Sequence, residues 1–98
     1  MTITKQQEGN ALTIGIEGRL DTLTAPDLEK EITALGPDVQ KLTLDFAKLD
    51  YISSAGLRVL LMSQKKMAKQ GSMRLINVGK MPREALEVTG FIDILTVE

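Results

Sequence analysis

The chain has 98 residues, 43% hydrophobic and 26% charged, with 12 basic and 13 acidic side chains and a net charge of −1. That length predicts one domain, residues 1–98, with a core that needs no staples, and the charge balance offers no basic excess for gripping a nucleic-acid backbone, so no direct nucleic-acid partner is expected. With no cysteine and no histidine, disulfides, thiolate metal sites and any Ser-His-Asp triad are excluded.

In chain order, residues 1–7 read as a short edge strand with Ile3 as its strong apolar residue, and Gly9-Asn10 is a hairpin turn signal. ALTIGIEG alternates, with Leu12, Ile14 and Ile16 on one face and Thr13, Gly15 and Glu17 on the other, which predicts a half-buried strand. RLDTLT follows as a loop. Thr24 is a candidate N-cap, and Pro26 and Asp27 suit the first turn of a helix. Leu28, Ile32 and Leu35 keep helical spacing until Gly36-Pro37 stops it. KLTLDF at 41–46 alternates again, and residues 47–51 read as a connection.

Ser53 or Ser54 then caps a helix running to about Gln70 and closed by Gly71. Its apolar stripe is Leu57, Leu60, Leu61, Gln64 and Ala68, widened by Val59 and Met62, with Lys65, Lys66 and Lys69 facing water. MRLINV at 73–78 is a further strand, PREALEVT a short helix opened by Pro82 and ended by Gly90, and residues 91–97 a last strand. Strands alternating with helices predict an α/β fold with a partly parallel sheet. The N-terminus is polar and carries no signal-peptide apolar region. The longest apolar run, VLLM at 59–62, is four residues, far short of the ~20 that span a bilayer. A cytoplasmic protein without membrane insertion is the expectation, either a monomer or a weak dimer.

The stretch YISSAGLRVLLM, residues 51–62, places two hydroxyls at the mouth of a core helix. One reading is a helix cap worth about 1 kcal/mol. The other is a phosphoacceptor, because a phosphate there meets free N–H groups and the positive end of the helix dipole, and adds about −1.5 to −2 charges to a surface patch. Gly56 in the first turn is disfavoured by about 1 kcal/mol relative to alanine. It points to close packing on a neighbouring strand or to close approach by a partner. Asp21 lies between a strand and a helix, either as an Asx-turn aspartate or as a carboxylate aimed at the same end of the sheet as Ser54. Gly79-Lys80 is not a P-loop, since the upstream glycine is missing and Met81 replaces the hydroxyl residue. Met62, Met67 and Met73 read as core fillers. No cofactor, no metal and no enzymatic activity are expected.

At these residues the sequence resembles STAS domains, and among them the bacterial anti-sigma factor antagonists. GRLDTLTAPDLE resembles the family's G-x-L-D turn and following helix. LTLDFAKLDYISSAGLRVLL resembles its strand, phosphorylation loop and second helix, and INVGKMPREALEVTGFIDIL its closing elements. The resemblance implies a STAS-type domain, a mixed sheet of about four to five strands with helices mainly on one face. It implies a binding module rather than a catalyst. Unphosphorylated, such a protein binds a kinase-type anti-sigma factor and frees the sigma factor. Phosphorylation of one serine or threonine switches it off, and a serine phosphatase reverses the mark. Laid on this chain, the phosphoacceptor falls on Ser54, the small residue on Ala55, Gly-Leu on Gly56-Leu57 and the G-x-L-D aspartate on Asp21. Ser53 stands where the family has aspartate, which makes it the second choice of acceptor. The implied partner-binding residues are Asp21, Thr22, Ser53, Ser54, Ala55, Gly56 and Arg58. The alternative is a constitutive STAS scaffold subunit of a transport or signalling complex, unphosphorylated.

Overall fold

The computed structural model describes residues 1–98. Strands β1 (Thr2–Glu8) and β2 (Ala11–Leu20) form an antiparallel hairpin, with Glu8 opposite Ala11. Gly9 in its two-residue turn has φ 60°, which glycine adopts without the steric cost a Cβ brings. Helix α1 (Ala25–Thr33) leads to β3 (Lys41–Asp45), and β4 (Leu49–Ile52) enters α2 (Ser54–Ala68). Strand β5 (Ser72–Ile76) and helix α3 (Lys80–Thr89) follow, and a 3-10 turn spans Phe91–Asp93. The sheet runs β1-β2-β3-β5, and β4 pairs with the far end of β2. β1 is antiparallel to β2, while β3 and β4 run parallel to β2, and β5 parallel to β3. The result is a mixed α/β sheet of five strands with three helices.

The alternation places Leu12, Ile14 and Ile16 of β2, Leu42 and Leu44 of β3, and Met73 and Leu75 of β5 in one core with Leu28, Ile32, Leu57, Leu60, Met67 and Leu86 of the helices. Burying each leucine-sized chain is worth about 1.5–3 kcal/mol. The opposite face of the sheet carries Thr13, Gly15, Asp45 and Arg74, where the Arg74 Nε–H donates to Thr43 Oγ1 at 3.0 Å. Helix α2 buries Gly56, Leu57, Val59, Leu60, Ser63 and Met67. Ala68, expected in the stripe, is exposed, because the buried face is centred on Leu60 and Met67.

Two elements differ from expectation. Residues 47–51, read as a connection, contain most of β4. A four-residue strand shows too little alternation to be recognised, and here it exists because β2 is long enough to pair with β3 first and then, past an irregularity at Gly18/Arg19, with Leu49, Tyr51 and Ile52. Residues 91–97, read as a strand, form the 3-10 turn and then a single bridge from Val97 to Leu75. Gly90 at φ 78° turns the chain. Ile94 and Leu95 N–H then both donate to Phe91 C=O, so the apolar residues are spaced for a turn rather than a pleat.

Candidate functional site

The parallel pairing of Leu20 with Ile52 brings the ends of β2 and β4 side by side. The Ser53 N–H donates to Leu20 C=O at 2.9 Å, so the Asp21 loop and the start of α2 leave the same end of the sheet together. Asp21 and the two serines, 32 or more residues apart in the chain, thereby occupy one surface.

The Asp21 loop is held tightly. Asp21 Oδ1 accepts the N–H groups of Leu23 (3.0 Å) and Thr24 (3.2 Å), an Asx-type turn. Thr24 precedes α1 but makes no side-chain cap. Its hydroxyl turns back into the loop, donating to Arg19 C=O at 2.7 Å and accepting the Asp21 N–H at 2.8 Å. Burial pushes the Asp21 carboxyl up, but the N–H groups of Thr24 and Leu23, the Thr24 hydroxyl and Arg19 hydrogen-bond its charged form and together hold it below its ordinary value. Arg19 Nε lies 3.5 Å from Asp21 Oδ2, and its guanidinium stacks over Tyr51, 4.1 Å from the ring centroid. Thr22 and Leu23 are exposed at the tip, Leu23 by 86%.

The start of α2 is the reverse. Ser53 has the extended backbone of an N-cap residue, yet its hydroxyl makes no cap. Its Oγ is buried and has no hydrogen-bond partner, an arrangement that costs about 1–3 kcal/mol. Ser54 is therefore not a cap but the first helical residue, and it is exposed. The first intrahelical bond runs from Leu57 N–H to Ser53 C=O, which leaves the N–H groups of Ser54, Ala55 and Gly56 without an acceptor. No acidic side chain occupies this turn. Gly56 faces inward. A Cβ there would lie 2.8 Å from Leu20 Cγ, 2.9 Å from Ile52 Cγ1 and 2.9 Å from Leu20 O, so the glycine lets α2 sit directly on the ends of β2 and β4. Ala55 is half-buried and Arg58 exposed.

Beside Ser54 runs a groove of about 290 Å³, lined by Ser54, Leu57, Arg58, Leu61, Thr89 and Phe91. It lies where α2 meets the end of α3 and the 3-10 turn. Sequence reasoning found Ser54 and Arg58 but not the groove, nor Arg19 and Leu23. The exposed leucine inside the polar turn DTLTAP was its one local signal. The rest depends on contacts between distant segments. No group of histidine, cysteine or acidic side chains could hold a metal ion, and no helix is long and apolar enough to cross a membrane.

The model of the STAS domain matches residues 2–98. The chain belongs to the STAS domain family. Among its relatives is BtrV of Bordetella bronchiseptica, described as a candidate anti-sigma factor antagonist, 34% identical over 99% of this chain and 85% of BtrV. The anti-sigma-B factor antagonist of Bacillus subtilis is 28% identical over 94% of this chain and 85% of that protein. The crystal structure of an anti-sigma factor antagonist from Mycobacterium paratuberculosis superposes with a TM-score of 0.85 at 23% identity, covering 98% of this STAS chain and 83% of that one. It shares the fold described above. These STAS relatives are named as regulators rather than as enzymes.

Proposed function

We propose that this STAS protein is an anti-sigma factor antagonist switched by phosphorylation of Ser54. Unphosphorylated, it docks the Asp21 loop and the start of α2 on a kinase-type anti-sigma factor, which then releases its sigma factor. The observation that carries this reading is the pairing of an exposed serine hydroxyl with an uncapped first turn, on the surface shared with Asp21. Ser53 is the weaker acceptor because its hydroxyl is buried. Two relatives named for antagonism of anti-sigma factors support the role.

In the transfer, Ser54 Oγ bonds to the γ-phosphorus of ATP, the bond to ADP breaks, and the hydroxyl proton passes to a base of the kinase. The product suits the fold, because the phosphoryl oxygens meet the free N–H groups of the first turn and the positive end of the helix. It does not suit the complex. Burying about two added negative charges in a protein contact, away from water and with no counter-charge supplied by the partner, costs several kcal/mol, so affinity should fall a hundredfold or more. A serine phosphatase, removing the group by hydrolysis, restores the binding form.

Incubation with kinase-type anti-sigma factors and ATP, followed by fragment mass spectrometry, tests the reading. Phosphate on Ser54 is the expected result. Ser54→Ala should bind the partner constitutively and Ser54→Asp should bind it more weakly. Equal affinity of the two variants would overturn the switch. Stable binding to a transporter ATPase with no phosphate transfer would instead indicate a constitutive scaffold.

A further inference from the structure

We propose that Arg58 is the built-in counter-ion of phosphorylated Ser54, pairing with the phosphoryl group across one helical turn and closing the apolar groove that the two side chains share. The inference rests on Ser54 being the phosphoacceptor and adds the element that receives the charge.

Residues 54 and 58 stand at i and i+4 of α2, the spacing at which helical side chains meet. Both line the groove over Leu57, Leu61 and Phe91, and Arg58 is the one charged residue in that lining. The chain's four arginines are Arg19, Arg58, Arg74 and Arg83. Arg19 is committed to Asp21 and Tyr51, and Arg74 to Thr43 and Glu98, while Arg83 belongs to α3 and does not line the groove. Arg58 is exposed and makes no ion pair or hydrogen bond. With no acidic residue in the first turn of α2, nothing on that turn competes for the guanidinium. Its planar fork matches phosphate oxygens two at a time, which a lysine cannot do. A guanidinium drawn toward residue 54 lies over the groove floor, so phosphorylation both adds charge and covers apolar surface that a partner could use.

The test uses the full chain with phosphoserine incorporated at position 54 during translation, which makes it independent of any kinase. Phosphorus NMR reads the second ionisation of the phosphomonoester, ordinarily near pKa 6. In the otherwise unaltered chain it should fall below that of Arg58→Gln by about 0.3 unit, and Arg58→Lys should recover only part of the difference. Lys65→Gln, about 16 Å further along the helix from residue 54, should leave the ionisation where it was. An identical titration in Arg58→Gln overturns the inference, as does an equal shift in Lys65→Gln, which would mean a general charge effect. The underlying reading fails separately, by absence of kinase-transferred phosphate on Ser54.

Discussion

At its C-terminal end α2 is tied to the rest of the protein, and at its N-terminal end it is left open. Lys66 Nζ donates to Thr33 O (3.1 Å), the last carbonyl of α1, and to Leu35 O (2.9 Å) just beyond the helix. Gln70 Nε2 donates to Gly36 O (2.9 Å) and Val39 O (2.7 Å). Gly71 then passes so close to Gln40 that a Cβ would sit 1.8 Å from its carbonyl oxygen. One side chain, Lys66, was expected to face water and instead caps a neighbouring helix. The first turn is seated on the sheet by Gly56 and the Ser53 N–H bond to Leu20 C=O but has no such side-chain bonds. Its three leading N–H groups are free, the Ser53 hydroxyl is unpaired and Ser54 is exposed. A helix anchored at one end can carry an incomplete turn at the other without loss of position. An incomplete turn of this kind leaves N–H groups that a phosphate, once added, would meet.

Substitutions at the two ends should separate anchoring from signalling. The largest effect belongs to Gly71→Ala. The added methyl meets a backbone oxygen that cannot step aside, and overpacking of this kind costs about 3 kcal/mol. Urea denaturation should show the loss, and a neutral outcome would mean that the α2–β5 turn is not held against Gln40. Gly56→Ala at the open end meets two side chains and one carbonyl at 2.8–2.9 Å. Helix propensity favours alanine by about 1 kcal/mol, but the contacts should prevail and leave a net loss of about 1 kcal/mol. A stabilised Gly56→Ala would show that α2 does not need glycine to seat on Leu20 and Ile52.

Lys66→Met keeps the apolar stem and removes the bonds to α1. We expect a loss of about 1 kcal/mol, with Ser54 modified by the kinase as readily as before. A matched fall in phosphorylation would show that the two ends are not independent. The smallest effect is at Asp21, in the loop beside the open end. Its carboxyl is held below the ordinary value, so the stability it contributes is complete above the unfolded-state pKa of about 3.9 and is lost as pH falls through the lower folded value. Thermal melts of Asp21→Asn should differ from those of the unaltered chain by a constant amount above about pH 5 and converge below about pH 4. A difference that stays constant across the acid range would mean that the charge on Asp21 plays no part in holding the loop.

The composition, the alternation in β2 and β3, and the breakers at Gly36-Pro37, Gly71 and Gly90 determined the α/β class, most of the elements and the exclusion of imidazole and thiolate chemistry, because each of these is a local property of the chain. The Asx turn at Asp21 was legible for the same reason, since its donors lie two and three residues away. Through the family resemblance, Gly56-Leu57 also singled out Ser54 as the expected acceptor. The tertiary structure alone decided that LDYI is a strand, because four residues pair only when Gly18 to Leu20 is placed beside them. It decided that the chain beyond Gly90 is a turn. It also decided which serine is reachable. Residues 53 and 54 are chemically identical neighbours, and only the docking of Ile52 against Leu20 and of Gly56 onto both strands sends one hydroxyl inward and leaves the other in solvent.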